Sequence, residues 1–506
     1  MKLRLAPAPL LLALAACQPA SPDQSGATIR VDVIGTATDP AGAPRRVIAA
    51  ATQAGLTDFD ASGRVVPGLA SSWRVSNDGR SVIFRLRPAA WADGRKLVGG
   101  DVVSVFRRII APASINPLKP EMAMIENAAA IAAGHAAPAT LGVNAPLDSV
   151  VEIRLAAASP GLLTLLAQPD LAITRGGPRP PALGAFVLKD AVTRPVVLTR
   201  NAAYYDAANI GLGRIELTPV EDPGMAVARF AHDRTDIVTG SGLAGLSDAR
   251  LLGPQVLRVE PATGIYGYLA NVRSGPLADV RVRRALAMAI TRDGLGARLF
   301  GIPAMLPVIG MLPPGMASAP VATLPDWAML APAARLDTAR ALLAAAGFDA
   351  AHPLAFAVSL PPGREHASVF AAVAADWSAI GVTASAREMS PTDLALALKR
   401  GDFELALSER VAPVETAAFF LGPFRCGVGA GGYCNPAADL LLDAAATDPG
   451  AVATAEAAFM ADAPLIALFR PVRWSLVQPR VTGWTDNSAG AHPLARLGMT
   501  PKRGAR

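Results

Sequence analysis

The chain has 506 residues, 47 of them basic and 41 acidic, for a formal net charge of +6. The basic residues are mostly Arg and scattered, with no run that would make a nucleic-acid face. The length is too great for one simple core and points to two or three domains. Beyond the N-terminus no stretch approaches the length of a transmembrane helix, so no later membrane span is expected.

The opening residues, MKLRLAPAPLLLALAAC, have the form of an export signal. Lys2 and Arg4 give a short positive start, and residues 10–16 are uninterruptedly apolar. That run is too short to cross a bilayer, which takes about 20 apolar residues. Residues 1–16 therefore read as a signal peptide and are set aside from the fold. Leu14-Ala15-Ala16-Cys17 resembles a bacterial lipobox, in which the Cys is acylated and becomes the mature N-terminus. The competing reading is an ordinary secretory signal cut nearby, with Cys17 incidental. Residues 17–27 are polar, with Pro, Ser and Gly, and suit a flexible tether. Each buried lipid CH2 contributes about 0.8 kcal/mol, so several acyl chains would hold a large domain firmly.

From Thr28 the pattern is mixed α and β. TIRVDVIG alternates and carries β-branched residues, as an opening strand does. Residues 73–75 and 82–86 flank Asp78-Gly79, a tight-turn signal, with Val82, Phe84 and Leu86 on one face of the expected hairpin. DVRVRRALAMAI starts at Asp279, an expected helix N-cap. In LDTARALLAAAGF, Asp337 is the expected cap and Gly347 the stop. Val369, Val373, Trp377 and Ile380 recur at helical spacing before Gly381, with strand-like VTASA after it. Asn435-Pro436 opens a further helix, Pro suiting its first position.

Apart from Cys17, the cysteines are Cys426 and Cys434. In an oxidising compartment they read as one short-loop disulfide, against the alternative of two independent small core residues. Between them Gly427, Gly429 and Gly432 satisfy G-x-G-x-x-G. The next helix starts too late for dinucleotide binding, so a closed flexible loop is expected. His135, His232, His352, His366 and His492 are isolated from one another. No nucleophile elbow, zincin or P-loop motif occurs. An enzyme is not expected, nor a metal or cofactor.

Residues 65–108, VVPGLASSWRVSNDGRSVIFRLRPAAWADGRKLVGGDVVSVFRR, resemble the signature region of family 5 extracytoplasmic solute-binding proteins. These are the peptide- and dipeptide-type binding components of ABC importers. The pattern P-x-L-A-x-S-W, then S-x-D-G, then W-x-D-G ending in D-V is met from Pro67 to Val102. Lys96 and Gly99 stand where the family usually has Pro and Ala. LGAFVL (183–188), RNAAYYD (200–206), AVARFAHDRTDIVTG (226–240) and NVRSGPLADVRVRRALAMAITRDGL (271–295) resemble further landmarks in the family's order.

The resemblance implies an α/β two-lobe periplasmic-binding-protein clamp with mixed sheets. Lobe I would take residues 28–52, 176–262 and 477–506, with an extra subdomain inserted at 53–175; lobe II would take 263–476. It also implies a monomer that captures a peptide or other small solute by hinge closure and hands it to ABC permease subunits. Tyr266 and Tyr268 are expected ligand contacts, on one face of a strand, although packing between the lobes is the equal alternative. Thr36, beside the first strand, is another lining candidate.

One departure concerns the ligand. After RGDFELAL (400–407), peptide-binding members continue with a Trp- and Asp-containing stretch whose Asp meets the peptide ammonium. Here the chain reads SERVAPVETAAFF. Either Glu409 or Glu415 takes that role, or the ligand lacks a free amino terminus and Arg410 pairs with a carboxylate or phosphate. The altered stretch keeps a second function in view, a transporter-independent sensor or scaffold with the same clamp; a cell-wall hydrolase is the third. Gln18 follows the Cys, rather than the Asp that marks inner-membrane retention in enteric bacteria. The expected location is periplasmic and lipid-anchored, with the choice of inner or outer membrane left open.

Overall fold

The computed structural model describes residues 26–37, 39, 42–177, 180–190, 194–316, 323–445 and 448–500. The expected signal peptide (1–16) and the expected lipid attachment at Cys17 lie outside the described residues. Among those described, no helix is long and apolar enough to cross a membrane.

Three sheets organise the molecule. The largest has seven strands in the order Leu257–Pro261, Val472–Val477, Ile237–Ser241, Ala27–Ile34, Leu212–Val220, Val196–Arg200 and Phe186–Asp190. Ala27–Ile34, the expected opening strand, runs parallel to both of its neighbours. Its Ile29, Val31 and Val33, alternate residues on one face, are fully buried, as the core-facing side of a strand requires. A five-stranded sheet has the order Val382–Glu388, Leu354–Leu360, Leu405–Val411, Gly264–Ala270 and Leu465–Phe469. A four-stranded antiparallel sheet, Ala70–Val75, Ser81–Leu86, Val150–Arg154 and Val143–Leu147, sits over its own apolar core. The expected hairpin is its first pair, with Gly79 at φ +69° in the turn and Val82, Phe84 and Leu86 buried.

We call the seven-stranded sheet with its four-stranded annex the first lobe and the five-stranded sheet the second. The chain crosses between them twice, at 262–263 and at 470–471. Ala262 donates its N–H to the Pro471 carbonyl at 3.0 Å, so the crossings run side by side. A Cβ added to Gly264 would lie 2.5 Å from the Arg410 carbonyl oxygen, so only glycine allows this approach. The return crossing corrects the expected boundary at 476/477. Strand Val472–Val477 pairs with Leu257–Pro261 and Ile237–Ser241, so it belongs to the first lobe's sheet.

The helix starts were partly legible. Asp279 caps Val280–Ala289 by accepting the Arg281 N–H at 2.8 Å. Asn435 accepts from Ala437 and Ala438 ahead of Pro436–Ala445. Asp337 caps nothing: its helix runs Pro332–Ala345, with Pro332 in the first turn and Ala331 before it. Val369, Val373 and Trp377 form the buried stripe of Arg364–Ser378.

Cys426 and Cys434 are disulfide-bonded. The Gly-rich loop they close packs on the second lobe's sheet, where Val272 donates to the Gly431 carbonyl at 2.8 Å. With eight residues of sequence separation, chain entropy assigns this link about 2–3 kcal/mol. Replacing both cysteines by Ser should lower the unfolding free energy by that amount in urea denaturation. A loss under about 0.5 kcal/mol would mean that the loop's packing alone holds it.

Candidate functional site

The site is built where strands Gly264–Ala270 and Leu405–Val411 emerge toward the first lobe. They are antiparallel, with Tyr266 opposite Glu409 and Ile265 opposite Arg410. Cross-strand partners share a face and adjacent residues take opposite faces. Tyr266, Tyr268 and Glu409 therefore lie on one side and Arg410 on the other.

The two tyrosines, expected as ligand contacts or as packing between the lobes, are buried in the core. Each is 1% exposed. Tyr266 stacks on Phe469 at 4.6 Å between ring centres, and its hydroxyl bonds to His366 Nδ1 at 2.8 Å. Tyr268 packs against Trp377, its hydroxyl without a partner among the described residues. Burial pushes both phenols above their ordinary pKa, and it pushes the His366 imidazole down. Thr36 is half-buried, and its hydroxyl accepts the Asp39 N–H at 3.2 Å, a bond within its own loop.

Arg410 is also committed. It donates to the Phe419 carbonyl at 2.5 Å and lies 4.6 Å from the Phe419 ring centre. Burial lowers its pKa, an effect the nearby Glu121 charge opposes. Arg410, weighed above as the partner of a ligand anion, here contacts the 411–421 segment. Glu415 accepts from the Thr263 hydroxyl at 2.5 Å, at the first crossing.

Glu409 is different. Its carboxylate reaches the first lobe, where a Cβ on Gly242 would sit 2.6 Å from Oε1. No hydrogen bond or ion pair to it forms among the described residues. Desolvation raises its pKa to about 7, with the Arg473 charge opposing the rise. Sequence reasoning did not find Arg473, which lies in the first lobe on strand Val472–Val477. Nothing in V-R-W-S marks it, because its significance comes from the fold bringing it toward Glu409.

The lobes meet at two further places. Glu365, at the start of helix Arg364–Ser378, accepts backbone N–H bonds from Ser247 at 3.0 Å and Gly245 at 3.3 Å. On the other side the 413–416 segment of the second lobe docks into the annex. Val414, 3% exposed, joins the annex's apolar core. Gln168 donates to the Pro413 carbonyl at 2.8 Å, and Thr416 to buried Glu121 at 2.9 Å. The stretch where the family pattern was missing is thus a strap between the lobes.

Two lobes joined by paired crossings, with a charged side chain of one aimed at the backbone of the other, define a bilobal solute-binding protein. Residues 64–432 match the model for bacterial extracellular solute-binding proteins, family 5 Middle. The chain belongs to this family, whose members are substrate-binding proteins and not enzymes. It is 29% identical to the probable deoxycholate-binding periplasmic protein YgiS of Escherichia coli K12 over 457 residues, 85% of this chain and 84% of that one. To the periplasmic murein peptide-binding protein MppA of the same strain it is 27% identical over 460 residues, covering 86% and 85%. The solved MppA structure gives a TM-score of 0.82 at 25% identity, covering 93% of this chain and 98% of that one. Burkholderia pseudomallei OppA gives 0.83 at 26%, covering 94% and 99%. Against the unliganded open form of MppA, 24% identical with 94% and 97% covered, the TM-score is 0.67.

Proposed function

We propose that this chain is the extracytoplasmic substrate-binding lipoprotein of an ABC importer, held to a membrane through Cys17. It captures a peptide or peptide-like solute between its lobes by hinge closure. The observation that carries this reading is the Glu409 carboxylate. It is presented by one lobe to the backbone of the other, has no bonded partner among the described residues, and carries a pKa raised by desolvation. A desolvated carboxylate gains most from a cation that arrives with the ligand. In this reading Glu409 meets the solute's amine, the role left unfilled by the missing Asp. The murein-peptide and oligopeptide relatives support a peptide-like solute.

The test uses the full chain expressed in a bacterial host, wild type and Cys17→Ser, followed by native mass spectrometry of the detergent-released protein. The wild type should be in the membrane fraction and Cys17→Ser should not. The released protein should carry a co-purifying solute with a primary amine. A complex whose solute has no amine, or a wild type free in the soluble fraction, would reject the corresponding half of the proposal.

A further inference from the structure

Two carboxylates of the second lobe converge on one short segment of the first. That segment, residues 242–247, follows strand Ile237–Ser241. Glu409 meets it at the start, where a Cβ on Gly242 would fall 2.6 Å from Oε1 and 3.2 Å from Oε2. Glu365 meets it at the end, where Gly245 and Ser247 each donate an N–H to a different carboxylate oxygen. The segment is fixed within the first lobe. Trp474 donates its indole N–H to the Ala244 carbonyl at 3.1 Å, and Leu243 and Leu246 are buried in a core cluster that continues into the second lobe.

The two carboxylates fare differently there. Glu365 is buried and desolvated, but the bonds from Ser247 and Gly245 outweigh that and hold its pKa below the ordinary value. Glu409 receives no such bond among the described residues, and desolvation prevails. The charged and titratable groups around Glu409 are Tyr266 on the neighbouring strand and Arg473 in the first lobe, with Glu260, Arg46 and Arg470 around Arg473. Around Glu365 they are His366 on its own helix and Arg364, which pairs with Asp248 at 2.5 Å. That pair is largely exposed and contributes little.

We propose that Glu365 is a positioning residue of the interlobe site: it holds residues 242–247 of the first lobe over Glu409 and so keeps that carboxylate out of water. Its bearing on solute capture rests on the reading that Glu409 receives the amine. Without the Glu365 bonds the segment swings away from Glu409, water reaches the carboxylate, and ionising it carries no penalty. The ion pair with a solute amine then loses the strength that a dry site gives it.

A double-mutant cycle in urea denaturation of the full chain at pH 8 measures this coupling without any solute. In the wild-type background Glu409→Gln should raise the urea midpoint. In the Glu365→Ala background the same change should raise it by less than about a third as much. Asp376→Ala, at the far end of the same helix and bonded within the second lobe to Thr291, should leave the full shift in place. An undiminished shift in Glu365→Ala overturns the proposal, because a residue that serves only general stability gives additive effects. A shift lost equally in Asp376→Ala overturns it too, as does a wild-type background in which Glu409→Gln raises nothing. Should Glu365→Ala fail to fold, Glu365→Gln, which keeps one acceptor oxygen, should at least halve the shift, and an unchanged shift there is equally fatal. A co-purifying solute without an amine rejects the amine reading of Glu409, whereas the cycle decides Glu365 alone.

Discussion

Glu409→Gln should make the solute-free protein more stable at pH 8 while removing most of its affinity for an amine-bearing solute. The two effects have one cause. A carboxyl with a folded-state pKa of about 7, against about 4.3 unfolded, resists ionisation in the native state. Below the unfolded value the group is neutral in both states and costs nothing. As pH climbs from about 4 to 7 the penalty grows, and above 7 it is constant, on the order of 3–4 kcal/mol. Gln removes that penalty, so the gain in urea denaturation should appear at pH 8 and vanish near pH 4. Binding runs the other way, since an ammonium needs the ionised carboxylate. Wild-type affinity should fall about tenfold per pH unit below 7 and level off above it, a slope absent in Glu409→Gln. A variant less stable than wild type at pH 8, with its ligand affinity intact, would remove Glu409 from the site.

Val414→Asp should part the lobes. Val414 is packed in the annex's apolar core although it belongs to the second lobe. An unpaired carboxylate there costs several kcal/mol, which undocking the strap avoids. Neither lobe's own sheet depends on this contact, so far-UV circular dichroism should be unchanged while the small-angle scattering radius increases. Apparent affinity falls with the closed population, by tenfold or more if that population drops below about a tenth. Val414→Ala, which removes packing without adding a charge, should show a smaller change in the same direction. Unchanged scattering and affinity in Val414→Asp would mean that the strap does not set the lobe arrangement.

Local chemistry explains what the sequence disclosed. Turn, cap and alternation signals at Asp78-Gly79, Asp279, Asn435-Pro436 and 82–86 act over a few residues and were readable in place. The cap expected at Asp337 failed because Pro332 and the alanines after it begin the helix without any side-chain cap. The site was harder. Glu409 and Arg410 are adjacent in a strand and so face apart, which leaves only one of them at the lobe boundary. The tyrosines share the right face, but that face is covered by helix Arg364–Ser378 and Phe469, a tertiary fact with no local signature. Arg473 lies 64 positions from Glu409 along the chain and becomes part of the boundary only after the return crossing.

That return crossing also governs the timing of folding. The seven-stranded sheet is assembled from pieces far apart in sequence, and Val472–Val477 fills an interior place in it, between Leu257–Pro261 and Ile237–Ser241. Until this strand has been synthesised, Leu257–Pro261 has no neighbour in the sheet and Ile237–Ser241 has one open edge. Long-range pairings of this kind form slowly, because loop closure must precede any gain in contacts. A chain made N-terminus first cannot complete the first lobe until residues 472–477 have been made. In the export proposed for this chain, that delay would keep the polypeptide loose enough to thread through a narrow channel.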